Sequence, residues 1–215
     1  MADTRDMNAM LSAFEDREVV IHLAGSSSVD TPWEEVCRNN LPSTMNVLEA
    51  SQCCRVRRVI LASSNHVTGL YENVSPYREI IAGRTEGLKF ARIRRIGPES
   101  PIRPDGAYAL GKAMGEAAAR VYFEAFGLSV YCLRLGTVNA ENRPTEPRHF
   151  STLLTHGDLI RLVQACLRAR PRFGILYGVS RNTWRIWDLP CGIGYKPRDD
   201  AERYRDQPSS RRISK

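Results

Sequence analysis

Tyr108 and Lys112 stand four residues apart in the run Tyr108-Ala109-Leu110-Gly111-Lys112, a spacing that could move a proton. On a helix, side chains at i and i+4 project from one face, one above the other. A protonated lysine beside a phenol favours the phenolate and brings tyrosine toward the range of a general base. Ser64, at the end of an apolar run, could hold the oxygen that gives up the proton. The same spacing also occurs in ordinary surface pairs, so the surrounding elements decide its meaning. Only four of the 31 basic residues are lysines, which argues against a chance placement of Lys112.

Those elements alternate. Ala107 to Phe126 is rich in Ala, Glu, Leu and Met with no internal proline, and Asp105 is placed to cap it, so a helix is expected there. Further helices are expected near Met7 to Phe14, Trp33 to Cys53 and Gly157 to Ala169. Val19 to Ala24 and Val56 to Ala62 are short apolar runs of the kind that form parallel strands buried on both faces; Leu128 to Leu135 and Phe173 to Tyr177 are similar but less pure. This β-α alternation predicts a doubly wound α/β fold with helices on both faces of a parallel sheet. Two irregular stretches, Gly69 to Pro104 and Asn139 to Thr155, are too long for plain connectors and are expected to carry substrate contacts. One domain is expected over 1–196, and the polar tail from Pro197 to Lys215 reads as disordered.

With 215 residues, 42% hydrophobic and 26% charged, the chain can bury one sizeable core. No run approaches membrane-spanning length, so no membrane partner is expected. Six cysteines without a CxxC pair point to a reduced, cytoplasmic protein, and no metal site is expected. The net charge of +7 is spread over scattered arginines without an aromatic platform, which excludes nucleic acid as the expected partner.

Several words of the sequence resemble a known family. Val19-Val20-Ile21-His22-Leu23-Ala24-Gly25, Asn40 to Ala50, Arg58 to Asn65, Tyr108 to Lys112 and Leu133-Arg134-Leu135-Gly136 follow one another as in the extended short-chain dehydrogenase/reductases, the NAD-dependent epimerase/dehydratase group. The stretch Ser63-Ser64-Asn65-His66, with Arg148-His149-Phe150-Ser151-Thr152 and Trp187-Asp188-Leu189, is most similar to the uronate dehydrogenases and archaeal NAD-dependent glucose-6-phosphate dehydrogenases of that group. The resemblance implies a Rossmann-like sheet, NAD or NADP as cofactor, and a small-molecule sugar, sugar acid or sugar phosphate as substrate. It implies Ser64, Tyr108 and Lys112 as the catalytic set. Cofactor contacts are implied for Asp3, Ala24, Gly25, Asn40, Tyr108 and Lys112, and substrate contacts for Ser28, Ser64, Asn65, His66, Thr137 and Arg148, the last on an anionic group. Local alternatives stay open: a turn cap for His66, one more abundant arginine in Arg148, a local helix bond for Asn40.

The sequence departs from the family in three places. No GxxGxxG turn precedes Val19, so the fold is expected to be N-terminally truncated, with Val19 to Ala24 as an open edge that could pair two copies into a homodimer. Pro42 falls inside the expected helix Trp33 to Cys53, at an anticipated cost of about 3 kcal/mol. The stretch Gly69 to Pro104 is longer than in the uronate enzymes, which leans toward another sugar. The function implied is hydride transfer from a sugar to nicotinamide. An epimerase or dehydratase with the same residues, and a non-catalytic or incompletely read chain, are the other readings.

Overall fold

The computed structural model describes residues 2–170 and 172–205. In chain order the elements are α1 (Met7–Phe14), β1 (Val19–His22), α2 (Trp33–Glu35), a π-helical turn (Val36–Asn40), α3 (Leu41–Cys53), β2 (Arg58–Ser64), 3-10 helix Asn65–Asn73, α4 (Tyr77–Ile81), 3-10 turn Phe90–Arg92, α5 (Ala107–Phe126), β3 (Ser129–Leu135), α6 (His149–Thr152), α7 (His156–Arg168), β4 (Phe173–Gly178) and 3-10 turn Ala201–Tyr204. The four strands form one parallel sheet in the order β1-β2-β3-β4, with Val19 opposite Arg58, Arg58 opposite Ser129 and Val130 opposite Phe173. This is the doubly wound α/β arrangement expected from the alternation.

Successive strand residues point to opposite faces, and the apolar runs use both. Val59, Leu61, Val130 and Cys132 pack with Met10 of α1, Leu48 of α3 and Ala119 and Tyr122 of α5. Ile60, Tyr131 and Leu133 pack on the other side with Leu162 and Cys166 of α7. A third cluster lies outside both layers, where Ile80 and Ile96 of the long Gly69 to Pro104 stretch meet Tyr177 and Trp187. That stretch is therefore a packed excursion, tied to the C-terminal region by the bridge between Ile96 and Trp187.

Pro42 does not disrupt its helix. The backbone widens to a π-turn over Val36–Asn40 and Pro42 falls in the first turn of α3, where a missing N–H is tolerated. Asp105 does not cap α5; Gly106 stands at that position without a side-chain bond, and the Asp105 carboxylate is engaged elsewhere. The tail expectation also fails for its first part. Buried Asp158 accepts from the backbone N–H groups of Arg198 and Asp199, and Asn182 Oδ1 accepts from that of Ala201, so this segment is fastened to α7. The remainder, 206–215, lies outside the described residues. Among these, no helix is long and apolar enough to cross a membrane.

Beneath the carboxyl ends of the strands lies a buried ion pair. Arg134 of β3 donates from Nε and Nη2 to the two carboxylate oxygens of Glu116 on α5, at 2.9 and 2.8 Å, with side chains 1% and 5% exposed. Ser63 Oγ donates to the same carboxylate at 2.6 Å, and Arg134 Nη1 donates to Tyr177 Oη at 3.0 Å. Burial opposes the Arg134 charge, but the Glu116 bonds outweigh it and raise its pKa further. Removing one partner would strand the other charge. Arg134→Met should therefore destabilise the fold by about 3 to 5 kcal/mol, and adding Glu116→Leu should recover much of that loss. Urea unfolding of both variants checks this; a single variant within about 1 kcal/mol of wild type refutes the assignment.

Candidate active site

At the carboxyl edge of the sheet a cavity of about 420 Å³ opens between the turn after β1, the end of β2, the start of α5 and the segment after β3. Gly25, Ser64, Asn65, His66, Tyr108, Lys112, Thr137 and Arg148 all line it. The other implied contacts do not. Asp3 is at the surface in an ion pair with Arg5, whose hydrogen bond holds its carboxyl down to about 2. Ala24 and Ser28 are exposed off the wall, and Ser28 Oγ accepts from the Asp30 N–H at 3.2 Å.

Asn40 acts on the wall from behind. Its Oδ1 accepts from the Ser26 N–H at 2.7 Å and its Nδ2 donates to the Ser26 carbonyl at 3.0 Å. These two bonds span 14 residues, so they are neither a local helix bond nor a ligand contact. They fix the turn after β1, where Gly25 holds φ at +140° and a Cβ would come within 3.0 Å of Asn40 Oδ1.

Ser64 is positioned by its neighbour: Ser63 is tied to Glu116, and Ser64 Oγ accepts from the His66 N–H at 3.2 Å. Its hydroxyl lines the cavity together with the Tyr108 phenol. Tyr108 does not have the depressed pKa expected from a neighbouring lysine. Burial raises it, and the Ser64 hydroxyl only partly opposes that. Lys112 is pushed down to about 8 by burial, and it donates from Nζ to the Ala62 carbonyl at 2.8 Å. The ammonium lies 5.6 Å from the centre of the Tyr108 ring. Near neutral pH the arrangement is thus a phenol with a charged lysine at its side. Asn65 is 3% exposed and its carboxamide nitrogen has no partner in the protein, which leaves a donor beside Ser64 for a bound molecule.

His66 Nδ1 is 2.6 Å from Asp105 Oδ2, and its Nε2 is 3.5 Å from Arg148 Nη2. The bonds fit the tautomer with Nδ1–H donating to Asp105 and Nε2 accepting from Arg148. Gly69 makes this possible, because a Cβ there would lie 1.9 Å from Asp105 Oδ2. Arg148 donates from Nε and Nη2 to Glu72 at 2.8 and 2.7 Å, and from Nη1 to Thr137 Oγ1 at 3.4 Å. Asp105 and Glu72 were not found from the sequence. Asp105 fitted a helix cap equally well, and no period marks Glu72.

Residues 1–157 match the family model "NAD dependent epimerase/dehydratase family". The chain belongs to this family. It is 34% identical over 209 residues to a uronate dehydrogenase of Agrobacterium fabrum, covering 95% of this chain and 69% of that protein. It is 30% identical over 208 residues to an NAD-dependent glucose-6-phosphate dehydrogenase of Haloferax volcanii, covering 95% and 77%. Among solved structures, a uronate dehydrogenase variant from Agrobacterium tumefaciens complexed with NAD superposes with a TM-score of 0.75 at 29% identity, covering 95% of this chain and 70% of that one. NAD is the family's cofactor, and the cavity holds groups that suit it: Tyr108 and Lys112 supply donors, and the turn at Gly25 is bare of side chain.

One buried group outside the cavity wall reports on stability. His22, buried on β1, is pushed down to about 4, by burial first and then by the Lys112 charge. The unfolded chain takes up a proton near the ordinary histidine value of about 6.5 that the folded chain refuses until about 4. Stability should therefore fall as pH drops through that window, by up to roughly 3 kcal/mol from this residue. Urea titrations at pH 7 and 4.5 should show a smaller drop for His22→Gln than for wild type; equal drops would remove His22 from the account.

Proposed function

We propose that this chain oxidises a sugar hydroxyl with NAD, and that Tyr108, Ser64 and Lys112 do the protein's share of the chemistry. The observation that carries the reading is that Tyr108, Ser64 and Lys112 line one cavity. The Tyr108 oxygen takes the proton of the sugar hydroxyl as the C–H bond breaks. The Lys112 ammonium, held by the Ala62 carbonyl, stabilises the phenolate that this step requires. Ser64 Oγ binds the reacting oxygen as it becomes a carbonyl, and Asn65 Nδ2 donates to a neighbouring sugar oxygen. NAD, when bound, supplies the hydride acceptor. The raised pKa of Tyr108 gives the Lys112 charge its part, because burial favours the protonated phenol.

An epimerase shares this residue set, and net accumulation of NADH separates the two, since an epimerase returns the hydride. The resemblance to dehydrogenases at 30% identity or more supports the dehydrogenase. Assembly and location are further parts of the proposal. Ile21 and Leu23 at the open edge of β1 are 46% and 63% exposed, which supports a homodimer through that edge. Six free thiols support a cytoplasmic location.

Tyr108→Phe should lower the rate of NADH formation by about 10²-fold or more, with an unchanged melting curve. Near wild-type turnover would exclude Tyr108 from catalysis. Sedimentation at tens of micromolar should give a dimer that Leu23→Lys dissociates; a wild-type monomer would refute the pairing.

A further inference from the structure

We propose that Glu72 sets the charge preference of the cavity: by holding the fork of Arg148, it turns a wall that would bind an anion into one that selects an uncharged sugar. This rests on the sugar-binding reading above. Arg148 and Lys112 are the wall's cations among the described residues, and Lys112 is turned to the Ala62 carbonyl. A carboxylate or phosphate on the sugar would therefore seek Arg148. That guanidinium already gives Nε and Nη2 to the two oxygens of Glu72, the side-on geometry in which arginine holds a carboxylate best. Nη1 keeps only the 3.4 Å contact to Thr137 Oγ1. The pair is mostly buried, with side chains 21% and 13% exposed, so water screens it little.

An incoming anion meets a pair with no net charge. It can gain one bond from Nη1, and it approaches the Glu72 carboxylate as it does so. A hydroxyl escapes this conflict, because it donates to an acceptor and accepts from a donor with the same atom. Glu72 and His66 leave the same 3-10 helix, so the carboxylate is carried to Arg148 by the segment that also carries the sugar-facing histidine.

D-glucose and D-glucuronate, which differ only in the substituent at carbon six, provide the test. Dissociation constants for both, from ligand-observed NMR on the intact chain, should favour glucose in the wild type. Glu72→Gln keeps the shape and removes the charge. It should shift the glucose-to-glucuronate ratio toward glucuronate by about tenfold or more, and adding Arg148→Gln should abolish that gain. A wild type that prefers glucuronate, a ratio unmoved by E72Q in a variant that melts like wild type, or binding of neither sugar overturns the proposal. If E72Q does not fold, Glu72→Asp, which shortens the reach to Arg148, must move the ratio the same way. NADH formation is read separately: binding without turnover counts against the dehydrogenase reading and leaves the charge preference to be judged by the ratio alone.

Discussion

The Glu116–Arg134 pair is the constraint on which the rest of the site depends. Its two charges are almost wholly removed from water, a state that persists only with every polar atom engaged. Ser63, Tyr177 and the two partners meet that demand, and in doing so they join β2, α5, β3 and β4 at one point. The network continues upward. Tyr177 Oη lies 3.0 Å from Thr68 Oγ1, which donates to the Asn65 carbonyl and accepts from Trp187 Nε1. The end of β2 and the helix after it, which carry Ser64, Asn65 and His66, are thus anchored from below by a charge pair that touches no ligand.

The elements were legible because their signals are local. Met7–Phe14 and Ala107–Phe126 have the bounds that periodicity and composition gave, and the strands differ by a few residues at their ends. The set Ser64, Asn65, His66, Tyr108, Lys112, Thr137 and Arg148 was legible through resemblance, and it does converge on one cavity. Partners distant in the chain were not. The run Leu128 to Leu135 read as an impure strand, and the impurity was Arg134. A charge in a strand buried on both faces demands a partner, but nothing in the chain says that the partner is Glu116, 18 residues earlier. Glu72 and Arg148, 76 residues apart, are hidden for the same reason.

The electrostatics of the cavity also differ from what spacing alone suggests. Tyr and Lys at i and i+4 do share a face, yet burial raises the phenol and lowers the ammonium. Desolvation disfavours charge on both groups, and a phenolate beside the Lys112 ammonium would be stabilised by its charge. Removing water from the cavity, as a bound sugar would, strengthens their attraction.

The long stretch between His66 and Asp105 begins and ends at one spot. Leu70 donates its backbone N–H to the Arg103 carbonyl at 3.0 Å, and Arg103 donates its own to Val67 at 2.9 Å, so the chain leaves and returns through a two-bond staple. Everything between those bonds is a closed loop hung from a fixed base. The closure entropy of a flexible loop grows only with the logarithm of its length, so an insertion in an exposed part of the stretch would change stability by fractions of a kcal/mol to about 1 kcal/mol, whereas trimming into Ile80 or Ile96 would open the cluster they share with Tyr177 and Trp187. The two bonds therefore hold Asp105 beside His66 whatever the length of the exposed part of the chain between them.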